Sequence, residues 1–162
     1  KRLILFIKII LILSLMSILF QDIKERKVYW FLFPIVAFTA AYLYYSNTFF
    51  ELFWRTSLIN LGIIFSIILV LQTYSKFKLQ TDLQHVFGLG DVLFFLAVSI
   101  AFPIATFIIF FVFSLLFSLL LHILLKNKTQ ETSVPLAGYM SLFFMTVYLL
   151  NWTGFLSNIY SI

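Results

Sequence analysis

Long apolar blocks alternate with short charged clusters along this chain. It opens "KRLILFIKIILILSLMSILFQD", and later blocks again approach the roughly 20 apolar residues that cross a hydrocarbon core about 30 Å thick. Reading each block between its flanking charges predicts helices at about residues 3–21, 28–46 and 55–74. Between Asp91 and Lys126 lie 34 residues without a formal charge, roughly 51 Å of helix, which is too long for one crossing and short for two. Pro103 supplies the break, because proline lacks a backbone N–H and disfavours helix in the residue before it. The block therefore divides into a short helix at about 91–102 and a full one at about 104–125, and "ETSVPLAGYM" leads into a sixth at about 135–152. A backbone in lipid must satisfy its own hydrogen bonds. The expected fold is thus all-α, a polytopic bundle of six transmembrane helices in which residues 1–162 form a single unit.

Composition sharpens this picture. Of 162 residues, 63% are hydrophobic and 10% charged, which is outside the range of soluble domains and leaves no stretch for one. The first block imitates a secretion signal, but no small-residue cleavage pattern precedes Gln21, so a retained first helix is expected. Cysteine is absent, which removes disulfides, thiol nucleophiles and thiolate zinc sites from consideration. The net charge of +5 sits in clusters beside the apolar blocks, a pattern that fits anionic lipid headgroups and not nucleic acid. Six crossings would put Lys24, Arg26, Lys27, Lys76, Lys78, Lys126 and Lys128 on one side, against Lys1, Arg2, Lys8 and Arg55 on or near the other. The first side is expected to be cytoplasmic. Asp22, Glu25, Asp82, Asp91 and Glu131 fall on that same side.

Two of those acids carry the candidate chemistry. Asp22 closes the first helix and Asp91 opens the fourth, so residues 69 positions apart arrive at one end of the bundle. An ionisable group at the edge of hydrocarbon is costly and usually has a partner. Two adjacent carboxylates resist double ionisation, so one can hold a proton while the other activates water for attack on a peptide carbonyl. A bland reading stands beside this one: Asp91 as the N-cap of its helix, Asp22 as a solvated loop residue near Lys24, Arg26 and Lys27. The helix dipoles would then raise the proton affinity of Asp22 and lower that of Asp91, making Asp91 the base. Gly88 and Gly90, in "HVFGLGDVLFF", permit positive φ and close backbone approach, so G-L-G-D can present its carboxylate on a tight turn.

At these residues the chain resembles the type IV prepilin peptidases and their archaeal preflagellin relatives, the GxGD intramembrane aspartyl proteases. "QDIKERKVYW" is similar to the family's first aspartate segment, "GLGDVLFFLAVS" to its second, and "VPLAGYMSLF" to the entry of its last helix. The resemblance implies catalytic roles for Asp22 and Asp91, and structural, substrate-positioning roles for Gly88 and Gly90. It also implies cleavage of cationic leader peptides from pilin-like precursors at the cytoplasmic face of the inner membrane, with no cofactor. Leu93 stands where the family often has lysine, and Tyr29 and Trp30 where it often has Pro-Asn. The cytoplasmic insertion with two C-x-x-C pairs is lacking, which leaves a minimal core. The rival expectation is a noncatalytic scaffold or proton-relay subunit of an envelope assembly.

Other polar residues receive quieter expectations. His85 could join two carboxylates around a metal, but no spacing requires it and no metal site is predicted. His122 should snorkel or bond a neighbour, and Asn60, Gln72, Ser114 and Ser118 should hydrogen-bond between helices. Tyr42, Tyr44, Tyr45, Trp54 and Trp152 suit an interfacial aromatic belt at the far side.

Overall fold

A computed structural model describes residues 2–79, 88–125, 134–156 and 158–160. Six α-helices follow one another: α1 (Arg2–Glu25), α2 (Leu32–Tyr45), α3 (Phe50–Tyr74), α4 (Leu89–Ser99), α5 (Ile104–Leu125) and α6 (Leu136–Trp152). A π-helical turn, Ser75–Leu79, extends α3. No strand occurs among the described residues. The expected all-α class and the order of its helices therefore hold. His85, Asp82, Lys126, Lys128 and Glu131 lie outside the described residues.

Three helices, α1, α3 and α5, are long and apolar enough to cross a membrane. The others are shorter, with 14 residues in α2, 11 in α4 and 17 in α6. At 1.5 Å per residue α4 rises only about 16 Å, half of a hydrocarbon core. α1 and α6 pack antiparallel, α2 flanks α1, α4 lies between α2 and α3, and α5 closes against α6 and α3. On α1 the buried stripe is Leu11, Leu15 and Ile18, three and four residues apart, while Leu5, Leu13 and Phe20 face outward. Such large exposed apolar area on several helices suits a lipid surround.

Helix boundaries move where local chemistry overrides the charge pattern. α2 begins at Leu32 rather than 28, because the chain leaves α1 through Arg26 in the left-handed region, φ 55°. The Tyr29 N–H is then taken by Gln21 Oε1 at 3.0 Å. Pro34 fits the first turn of α2, where a missing N–H forfeits no intrahelical bond. α3 starts at Phe50 rather than 55, with Glu51 in its first turn where the dipole favours an acid.

The break at Pro103 is satisfied from a neighbour. Asn60 of α3 is fully buried, and its Nδ2 donates to the carbonyls of Ser99 at 3.0 Å and Phe102 at 2.9 Å. These are carbonyls that the interrupted helix leaves without an intrahelical donor. Beyond the short α4 the interior is filled by rings: Phe102 stacks on Phe144, Tyr148 and Tyr160, and Tyr160 stacks on Tyr44. Tyr44 is therefore interior and not part of an aromatic belt. Its hydroxyl bonds Thr56 Oγ1 at 2.9 Å, whereas Tyr42, Tyr45 and Trp54 are exposed. Ser114 and Ser118 likewise depart from expectation, since their hydroxyls donate to Phe111 O and Ser114 O within α5 instead of bridging helices.

Candidate active site

The first four N–H groups of a helix have no intrahelical acceptor. α6 begins after Pro135, which has no side-chain acceptor to offer them. Its second and third residues find acceptors on other helices. Asp91 Oδ1 accepts the Ala137 N–H at 2.8 Å, and Asp22 Oδ2 accepts the Gly138 N–H at 2.6 Å. Asp22 reaches this point from the last turns of α1, continuing the stripe of Leu11, Leu15 and Ile18. Asp91 reaches it from the first turn of α4. Because Ala137 and Gly138 are consecutive, these two lengths and standard backbone dimensions keep the bonded oxygens no more than about 8 Å apart.

This arrangement corrects one expectation. Asp91 is not the N-cap of α4; Gly88 holds that position, and the Asp91 N–H donates to Gly88 O at 3.0 Å. Both carboxylates also bind the positive end of α6, whose dipole favours their charged forms. Asp91 stands outside the three long spans. Burial pushes its carboxyl up to about 6; the Ala137 and Gly88 N–H groups and the Arg26 charge oppose this, while the Asp22 charge adds to it.

The glycines sort differently from the motif. Gly88 has φ −63°, an ordinary value, so it is not needed for a left-handed turn. A Cβ there would sit 3.1 Å from Asp91 Oδ2, so its role is space beside the carboxylate. At Gly90 a Cβ would meet only Phe33 Cζ at 3.5 Å, an ordinary contact. Gly138 is the tightest: a Cβ would lie 3.0 Å from Asp22 Cβ and 3.1 Å from its Oδ2. Reasoning from sequence missed Gly138, although it follows the proline-containing entry to the last helix that the family resemblance singles out.

Arg26 was also missed as anything beyond a loop charge. Its left-handed backbone turns it back toward the site, where its charge acts on Asp91, and its buried Nε has no hydrogen-bond partner among the described residues. Leu93, where the family often has lysine, packs against the core. Tyr29 and Trp30 are exposed, with Tyr29 stacked on Phe31. Among the described residues no third His, Cys, Asp or Glu joins the two acids to make a metal-binding group. A pair of partly buried carboxylates is chemically suited to share a proton and to activate water. No family model matches this chain, and neither a curated protein nor a solved structure matches it.

Proposed function

We propose that this chain is an intramembrane aspartyl endopeptidase that removes cationic leader peptides from pilin-like precursors, acting at the cytoplasmic face of the inner membrane. In this reading all six helices take part in a transmembrane bundle, and the substrate is a protein with a basic leader ahead of a hydrophobic helix. One observation carries the proposal: Asp22 and Asp91, 69 positions apart, are anchored on adjacent amides of one helix.

The chemistry follows from one shared proton. The ionised carboxylate takes a proton from water, and the water oxygen bonds to the scissile carbonyl carbon. The protonated partner gives its proton to the carbonyl oxygen, which becomes a hydroxyl of the tetrahedral species. Collapse breaks the C–N bond as the leaving nitrogen receives a proton from the dyad and a hydroxyl of the tetrahedral species returns one to it, so the carbonyl re-forms and the pair is restored. Burial favours the protonated form of Asp91 and the Asp22 charge adds to it, as sharing one proton requires. In a coupled pair the titration belongs to both groups.

A second reading, a noncatalytic scaffold or proton-relay subunit, draws on the same contacts, since each aspartate also ties its helix to α6. Coexpression with a pilin-like precursor separates the two. Loss of processing in both Asp22→Asn and Asp91→Asn, with normal membrane levels, supports the peptidase. Unchanged processing in either variant rejects the dyad.

A further inference from the structure

A second polar constellation occupies the opposite end of the bundle. Lys8 lies 14 residues before Asp22, about 21 Å along α1, or some two thirds of the way through a hydrocarbon core measured from the aspartates. It falls on the same helical stripe as the buried Leu11, Leu15 and Ile18, so it faces inward. A cation at such depth is costly and marks a functional position by default.

Its surroundings have the character of a binding site. Lys8 lines a cavity of about 400 Å³ together with Trp152, Asn47, Asn151, Leu43 and Leu156, within the size range of ligand pockets. Its Nζ lies 4.7 Å from the centroid of the Trp152 ring, a cation–π contact that fixes the ammonium at the cavity wall. Among the described residues no carboxylate lines the cavity, so none of them gives the ammonium a counter-ion there. The asparagines add polar side chains to the wall, Asn47 with its Nδ2 donating to Leu43 O at 2.7 Å and to Ser46 Oγ at 3.3 Å, and the leucines supply an apolar surface. Ile9, Leu13 and Met16, which follow Lys8 along α1 toward its middle, are exposed apolar surface.

We propose that this cavity binds the phosphodiester headgroup of an anionic phospholipid, with Lys8 as its counter-ion and the acyl chains lying along the exposed flank of α1. A singly charged phosphodiester matches one ammonium, and a zwitterionic lipid would bring a second cation toward Lys8. The site is independent of the peptidase reading and stands or falls separately from it.

Thermal unfolding of the purified full chain in neutral detergent, titrated with short-chain phosphatidylglycerol, phosphatidylcholine or inorganic phosphate, tests this directly. Phosphatidylglycerol should raise the midpoint by several degrees, and the other two should not. Lys8→Met should abolish the shift, Lys8→Arg should keep most of it, and Lys24→Gln, at the other end of α1, should leave it intact. An equal shift in Lys8→Met, or with phosphatidylcholine, overturns the site; an equal shift with inorganic phosphate overturns the lipid as its ligand. Should Lys8→Met not fold, a photoactivatable phosphatidylglycerol headgroup on the wild type decides: crosslinks should map to the peptides bearing Lys8 and Asn151, and crosslinks confined elsewhere refute the proposal.

Discussion

Gly138 leaves little room for a methyl group against Asp22: a Cβ would stand 3.0 Å from the aspartate Cβ and 3.4 Å from Leu19 O. Close approach of α6 to α1 is thus what lets the Gly138 amide reach the carboxylate. Gly138→Ala should push the helices apart, lengthen that hydrogen bond and destabilise the fold by about 1–3 kcal/mol. Thermal unfolding would register the loss, and the proposed processing activity should fall with it. A variant as stable and as active as the wild type would show that the two helices can yield without harm.

The glycines of the G-L-G-D turn should respond unequally. At Gly88 the added methyl meets Asp91 Oδ2, not the oxygen that holds Ala137, so Gly88→Ala should disturb Asp91 more than it disturbs the fold. Gly90→Ala should be tolerated or slightly stabilising, by about 0.5–1 kcal/mol, because alanine is the better helix former and its methyl finds ordinary contact with Phe33. Measured together, the two variants test whether the turn serves the acid or the helix. Greater harm from Gly90→Ala would reverse this assignment.

Stability should depend on pH through Asp91. Its folded value, about 6, exceeds the ordinary carboxyl value, so between about 4 and 6 the folded chain holds a proton that the unfolded chain releases. This group's contribution is therefore present at the acid end of the window and is lost as pH rises through it. Carboxyl ¹³C titration of labelled aspartate should place the transition near 6. Asp22→Asn should move it downward, because the Asp22 charge raises it. An unmoved titration would mean that the two acids do not sense each other.

Asn60 should matter more than a buried serine whose hydroxyl bonds only within its own helix. Asn60→Leu removes the donor to two interior carbonyls at the Pro103 break, at an expected cost of about 1–3 kcal/mol. Ser114→Ala, whose hydroxyl bonds only within its own helix, should change stability by less than about 0.5 kcal/mol. Equilibrium unfolding of the pair in detergent measures the difference.

What could be read from the sequence was set by local rules. Apolar blocks and Pro103 located all six helices to within five residues at every boundary, and the spacing of charges brought Asp22 and Asp91 to one end. The partner of those acids was not legible. The Gly138 amide lies 116 positions from Asp22, and nothing local to either residue announces that α6 will offer bare N–H groups there. The same blindness assigned Asp91 to its own helix as a cap and Tyr44 to an interface, since both assignments consulted the nearest turn and not the facing helix. Asn60 was foreseen as an interhelical donor because a buried amide in an apolar helix has few other uses.

Anchoring both acids to consecutive peptide groups has a mechanical consequence. Helices tilt to match bilayers of different thickness, and a pair of residues held only by its own two helices would drift apart as they leaned. Here the reference is a single rigid step of backbone, so a lean of α1 against α4 must rupture a contact before it can widen the gap. The spacing of the pair should therefore be indifferent to lipid chain length until that rupture, and then fail abruptly.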